Sequence, residues 1–364
     1  MTNLHQHIDT IRQQLGKRLL ILGHHYQRDE VLAHTDLRGD SFQLSAAAAE
    51  NTDCETIVFC GVHFMAETAD ILANSADNLT RRGGKRVNVL LPDLEAGCSM
   101  ADMATHNTVE RCWNELADVI DTDDVVPITY VNSTAELKAF CGRHGGFACT
   151  STNARSVLET ALRQKQRVLF FPDQHLGRNT AHQMGMTRSA IAYWEDTTDE
   201  YGGGSVEQLR GSRIILWSGH CSVHQKFQPE HIDAIRKKHP DIRVIVHPEC
   251  CRAVVEQADE SGSTSYILQQ ISESPAGSSW AVGTESRFVE RLAQQNPDKT
   301  VVNLSPQPSY CDTMGLTDLP KLSAILESVE SEQPKNMIRV DDAVAVDALR
   351  CLERMLECKA FAGI

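Results

Sequence analysis

The sequence predicts an α/β protein built from three pseudo-symmetric units, each a small parallel sheet wrapped by crossover helices. Three observations lead there. Apolar, β-rich runs of four to six residues alternate with amphipathic helical stretches, the pattern left by strand–helix–strand crossovers. Gly or Pro stands just past many of the runs, at Gly23, Gly61, Pro92, Pro172, Gly219 and Pro248. The segments RLLILGHHYQRDEVLAH, VVPITYVNSTAELKAF and IRVIVHPECCRAVVEQA also resemble one another, each passing from strand through polar turn into helix.

Taken in order, MTNLHQHIDTIRQQLGKR spaces its apolar residues as an amphipathic helix feeding a first strand at 18–22. Further strands are expected at 56–60, 87–91, 126–131, 147–150, 168–171, 214–217, 244–247 and 300–304, all rich in Val, Ile, Leu or Phe. A second strand–helix pair reads in each unit as IVFCGVHFMAETADIL, FACTSTNARSVLETAL and a looser SSWAVGTESRFVERLA, while VNVLLPDLEAGCSM rhymes with RVLFFPDQHLGRNT. Past 318, LSAILESVE and VDALRCLERMLE predict helices that pack back on the first unit. The expected units are thus 1–105 with 318–364, then 106–226, then 227–317. Near the end of each stands one cysteine after a strand, Cys98, Cys221 and Cys311.

Composition narrows the function. The 364 residues hold 35 Lys and Arg against 49 Asp and Glu, a net charge of −14, which argues against the nucleic-acid backbone as main partner. No apolar run approaches the ~18 residues of a membrane span. The first residues lack the plan of a secretory signal, so a soluble, cytoplasmic chain with reduced thiols is expected. Twelve cysteines are many, yet none form a CxxC pair, which removes zinc ribbons and thioredoxin-type redox motifs. Cys250 and Cys251 are adjacent, a spacing that seldom lets both ligate one ion. A metal site must therefore gather ligands from distant segments.

Several segments carry chemistry. In GHHYQRDE (23–30), His24 and Tyr26 follow a strand directly, where imidazole and phenol exchange protons or hold carboxylates; a hydrogen-bonded packing cluster is the plainer alternative. In VIVHPECC (244–251), His247 and Glu249 lie two apart and point to one side, as metal ligands, an acid–base pair, or a helix-start carboxylate. In WSGHCSVH (217–224), a helix starting at Cys221 would favour its thiolate and bring His224 onto the same face one turn on. Cys98 in AGCSMADM and Cys311 in SYCDTMG are weak alone, but their recurrence in matching places is a signal. Three soft thiolates without a fourth suit an iron–sulfur cluster with one open iron better than closed tetrahedral zinc. GDSFQLS (Asp40, Ser41), TYVNS (Tyr130, Asn132), CTSTNA (Thr150, Ser151) and GSTSYI (Ser263, Thr264) supply hydroxyl and amide donors of the kind found in helix caps and anion sites.

Together GHHYQ, GDS, CGVHFMAETA, AGCSM, TYVNS, CTSTNA, FFPDQHLGRNTA, WSGHCSVH, HPEC, GST, VGTE and CDTMG resemble the quinolinate synthase family across essentially the whole chain. The resemblance implies three α/β domains around one [4Fe–4S] cluster held by Cys98, Cys221 and Cys311. It implies condensation of iminosuccinate (iminoaspartate) with dihydroxyacetone phosphate to quinolinate, phosphate and water in de novo NAD biosynthesis, functionally coupled to L-aspartate oxidase. By matching motif, His24, Ser41, Tyr130, Asn132, Ser151, His247, Glu249 and Thr264 would bind substrate, with Tyr26, His224 and Glu249 catalytic. Where some members carry a CxxCxxC run at the last ligand, this sequence has Cys311 alone, so a thiol–disulfide switch there has no support. The competing readings are a zinc-dependent lyase or aldolase using His247, Glu249 and Cys221, and a non-enzymatic cysteine-rich redox sensor.

Overall fold

The structure is a computed structural model and describes residues 2–358. The first sheet holds β1 (Leu19–His24), β2 (Leu37–Gly39), β3 (Thr56–Cys60) and β4 (Asn88–Leu90). The second holds β5 (Val125–Tyr130), β6 (Phe147–Cys149), β7 (Arg167–Phe171), β8 (Ile191–Trp194) and β9 (Ile214–Trp217). The third holds β10 (Arg243–Val246), β11 (Glu260–Ser261), β12 (Ser279–Gly283) and β13 (Thr300–Asn303). A last strand, β14 (Met337–Ile338), returns to pair antiparallel with β4, whereas the strands within each sheet otherwise pair in parallel. Helices cover both faces, which is why strands such as β3 and β5 are buried at every position and read as unbroken apolar runs.

Strand order makes the repeat explicit. The sheets run β2-β1-β3-β4, β6-β5-β7-β9 and β11-β10-β12-β13, the same second-first-third-fourth order three times, with β14 and β8 added at outer edges. The first strands of the units are those the sequence aligns. The second alignment is corrected: residues 147–149 form β6, which matches β2 and β11, and the true counterpart of β3 and β12 is β7. The rhyme of 87–100 with 167–180 likewise joins a fourth strand to a third. The fourth strands β4, β9 and β13 are the ones that lead to Cys98, Cys221 and Cys311.

The tail divides. Helix Leu319–Glu330 packs on helix Thr2–Leu15 beside the first sheet, as expected, but helix Asp342–Glu357 lies chiefly against helix Ala135–Arg143 and β6 of the second. Gly142 permits this close approach, since a Cβ there would stand 1.8 Å from the Asp347 carbonyl oxygen. Asn153 Nδ2 donates to the Met355 carbonyl at 2.9 Å and Arg354 to that of Gly146 at 2.8 Å. Polar staples also join the units. Arg291, from the helix Ser286–Gln295, donates to the carbonyls of His25 and Gln27 in the GHHYQ loop, and Arg28 donates to Gly315 O at 2.9 Å. Asn179 reaches Pro248 O and Cys250 O at 2.8 and 2.9 Å.

Candidate functional site

The three sheets present their carboxyl-end loops to one cavity. First strands supply His24, at the end of β1, Tyr130, at the end of β5, and His247, just past β10; Tyr26, Asn132 and Glu249 follow two residues on. Second strands lead to Ser41, Ser151 and Thr264, at or just before the helices Ser41–Glu50, Ala154–Gln164 and Thr264–Glu273. Fourth strands lead to Cys98, Cys221 and Cys311. With His224, every residue singled out as ligand, substrate-binding or catalytic lines this one cavity.

The three cysteines occupy one local structure built three times. Each is followed by two turn residues and a single 3-10 turn, Ala101–Met103, His224–Lys226 or Met314–Leu316. Each carbonyl accepts the amide four residues on: Asp102 at 3.2 Å, Gln225 at 3.0 Å and Gly315 at 3.1 Å. Cys221 therefore opens a tight turn rather than the α-helix expected for it. The turn folds amides back on the sulfur, those of Met100 and Ala101 on Cys98 and those of Val223 and His224 on Cys221. At Cys311 the Met314 amide and the Thr313 hydroxyl, 3.6 Å from Sγ, do the same. Burial nonetheless pushes all three thiols up, Cys98 to about 12, and Cys98 senses Cys311 as Cys221 senses Cys98. Half-buried, converging thiols with raised pKa values and N–H donors at hand become thiolates most readily against a bound cation, which is the chemistry of a thiolate metal site.

Beside Cys221 runs a chain of hydrogen bonds. Tyr26 Oη stands 2.8 Å from Thr284 Oγ1, which is 3.1 Å from His224 Nε2; His224 Nδ1 is 3.0 Å from Glu249 Oε2, and the Tyr130 hydroxyl donates to Glu249 Oε1. Burial and the Glu249 charge raise both phenols, so each stays a proton donor. Burial alone would raise the Glu249 carboxyl, but the facing imidazoles and the hydrogen bonds from His224 and Tyr130 outweigh it and hold it low. His247 stacks on His224 at 4.4 Å, and burial brings it down to about 3, so it is neutral. Its Nδ1 accepts the Glu249 amide at 3.4 Å, as His24 Nδ1 accepts that of Tyr26 at 3.2 Å. Both rings therefore carry their proton on Nε2 as neutral donors. Burial likewise keeps His24 well below its usual value.

Asn132 Oδ1 is buried there with no protein partner, an acceptor left for a ligand. Val62, Phe64, Met65 and Met100 form the apolar wall. Thr284, fully buried, was not picked as a site residue, although it stands in the VGTE motif; its position just past β12 was the available signal. Cys221, His224 and Glu249 also bring ligand atoms within 4.8 Å of one another. That set differs from the His247, Glu249 and Cys221 of the zinc reading. Both ring nitrogens of His224 are already engaged, and the set would leave Cys98 and Cys311 idle. All twelve cysteines are free; Cys54, Cys60, Cys112, Cys141, Cys149, Cys250 and Cys351 are buried in packing.

Fold and cavity together define an α/β enzyme with metal-binding cysteines and histidines at the meeting point of three repeated units. The chain matches the family described as Quinolinate synthetase A protein over residues 6–357, and it belongs to that family. It is 56% identical to the Quinolinate synthase of Rhodopirellula baltica over 356 residues, covering 98% of this chain and 91% of that one. To the Quinolinate synthase of Bacillus cereus strain B4264 it is 49% identical over 357 residues, 98% and 93% of the two chains. The corresponding figures for Bacillus velezensis are 49% over 353 residues, 97% and 92%. Among the described residues no helix is long and apolar enough to cross a membrane.

Proposed function

We propose that this enzyme condenses iminosuccinate with dihydroxyacetone phosphate to form quinolinate, phosphate and water, the step that builds the pyridine ring for NAD. The convergence of three identical cysteine turns on a cavity with a buried Glu249–His224–Thr284–Tyr26 chain carries the reading. Cys98, Cys221 and Cys311 would hold a [4Fe–4S] cluster, three thiolates leaving one iron without a protein ligand. When bound, such a cluster supplies Lewis acidity toward a substrate oxygen.

The chain's own residues do the rest. The Nε2–H groups of His24 and His247 hold carboxylates without bringing charge into the cavity, because both rings are neutral. Ser41, Ser151 and Thr264, with the amides of their helix starts, hold the remaining carboxylate and the phosphate. Glu249, kept ionised, takes a proton at Oε1 or Oε2 during isomerisation and dehydration; Tyr130 and the chain from Tyr26 through Thr284 and His224 aim their hydrogens at it and hold it in place for that transfer. Val62, Phe64 and Met65 keep water from the labile imine, whose short life in water also argues for coupling to the enzyme that oxidises L-aspartate.

Anaerobic purification with iron, sulfide and quinolinate analysis tests this. About four irons per chain are expected, lost in Cys98→Ala, Cys221→Ala and Cys311→Ala but kept in Cys251→Ala. A colourless protein with stoichiometric zinc at Cys221, His224 and Glu249 would overturn it.

A further inference from the structure

Asp40 sets a carboxylate on the wall of a cavity whose proposed ligands are carboxylates and a phosphate. By charge alone it is the wrong group there, and its bonds supply the reason for it. Oδ1 caps the helix Ser41–Glu50 by accepting the Gln43 amide at 2.9 Å, while Gln43 Oε1 accepts the Asp40 amide at 3.2 Å. Oδ2 turns away from that helix to the other two units. It accepts the Thr152 hydroxyl at 2.8 Å, just ahead of the helix Ala154–Gln164, and the Ser265 hydroxyl at 2.7 Å, in the first turn of the helix Thr264–Glu273. Asp40 is only 4% exposed and its partners Thr152 and Ser265 are half-buried, so the carboxylate is largely shielded, and hydrogen bonds to a carboxylate are strong.

Each member of this trio is the immediate chain neighbour of a cavity hydroxyl. Asp40 precedes Ser41, Thr152 follows Ser151, and Ser265 follows Thr264. One oxygen atom thus ties together three helix starts that belong to three separate sheets. We infer that Asp40 is a positioning residue: through Thr152 and Ser265 it holds the three units in register, so that Ser41, Ser151 and Thr264 form a single anion cradle. The inference rests on the anion-holding role proposed above for those hydroxyls. Misplacement of a binding group by an ångström is enough to lose most of its effect, and nothing within one unit fixes its helix start against the other two.

Charge and register predict opposite signs for Asp40→Asn. Asn caps a helix as well as Asp does, so the substitution keeps the helix start, removes a negative charge and leaves an NH₂ group facing two hydroxyls. If Asp40 acted through charge, anions would bind tighter. On the positioning role they bind about tenfold more weakly, the worth of a charge-assisted bond or two. The measurement is titration calorimetry of succinate and of inorganic phosphate on cluster-reconstituted protein, with iron content and thermal midpoint recorded alongside. Thr152→Val and Ser265→Ala leave the Asp40 cap untouched and are expected to weaken both anions several-fold. In Asp40→Asn their effects should shrink, since the two hydroxyls there accept weaker neutral bonds from the NH₂ group instead of donating to a shared carboxylate. Unchanged or tighter binding in these variants would overturn the positioning role, as would a wild-type protein that binds neither anion. Latch-dependent binding without quinolinate formation would instead retire the proposed reaction and leave the latch standing.

Discussion

Thr284 has one hydroxyl and two partners, and that count fixes the direction of the buried chain. A hydroxyl donates once, so if it accepts from Tyr26 Oη it must donate to His224 Nε2, which leaves the His224 proton on Nδ1 facing Glu249 Oε2. The polarity follows from the acceptor at its end: Glu249 Oε2 takes a hydrogen from His224 Nδ1, and with one ring proton on His224 its Nε2 accepts from Thr284, which is then free to accept from Tyr26. Tyr26 is thereby joined to Glu249 through a single line of donors, each pointing toward the carboxylate. Thr284→Val keeps nearly the same shape and removes the hydroxyl that joins the two halves. We expect kcat to fall by about 10²-fold or more, the usual worth of a general acid–base group, with iron content unchanged and KM within a few-fold. Glu249→Gln, which removes the acceptor itself, should retain the cluster and fall further still. Steady-state kinetics on both variants decide the matter: undiminished kcat in Thr284→Val takes the chain out of the reaction and leaves Glu249 served by Tyr130 alone.

At the scale of elements, legibility follows length only in part: three-residue β4 and β6 are read from their apolar runs, while four-residue β8, at the sheet edge, is not. Strands of four to six residues such as β1, β3, β5 and β10 carry enough apolar residues to be read directly, and polar His24 or His247 at the end of an apolar strand invites a functional reading. β2, β11 and β14 have three, two and two residues, too few to show a period, and with β2 and β11 hidden the repeat was aligned one strand out of step in the second unit. The cysteine turns escaped that error because a lone cysteine near each unit's end needs no strand count. Thr284 and Tyr26 are 258 residues apart, and a threonine after a strand looks like any other, so their pairing awaited the fold. The tail helix was misplaced for a similar reason, since its docking depends on Gly142, a glycine inside a helix that nothing local marks as a contact. Gly142→Ala would improve helix propensity yet force the Asp347 backbone aside, and overpacking of that kind costs ~1–3 kcal/mol. The expected result is a lower thermal midpoint despite the better helix former. A midpoint at or above wild type would show that the contact between helices 135–143 and 342–357 yields without cost.

For the whole molecule, burying so many titratable groups sets a pH window for stability. Burial lowers His24, brings His25 and His175 to about 4, and His247 to about 3, so all four are neutral in the fold but protonate near 6.5 when unfolded. The unfolded chain then binds more protons as pH falls below 6.5, and stability must fall with it. Asp173 and Glu285 work the other way, because burial raises both, Glu285 to about 6, and the folded chain takes up their protons first. The lowered imidazoles outnumber these raised carboxyls, so the net effect is a loss of stability as the pH falls below 6.5. On the alkaline side the thiols decide. Cys54 is raised to about 11 and Cys60 to about 12 by burial, with Cys112, Cys141, Cys149 and Cys250 raised as well, so stability present below pH 9 is lost as the pH climbs past it. Lys138 offsets part of that loss. Buried beside Phe64, it is held to about 8, so the cost of keeping it charged disappears between about 8 and its ordinary 10.5. The net expectation is a plateau from about pH 6.5 to 9, with a steep acid shoulder. Thermal midpoints of cluster-free protein across pH 4.5 to 10, with proton uptake on unfolding measured at pH 5.5, check it. A midpoint that stays level from pH 7 down to 5 would mean that the four imidazoles titrate in the fold as they do in water.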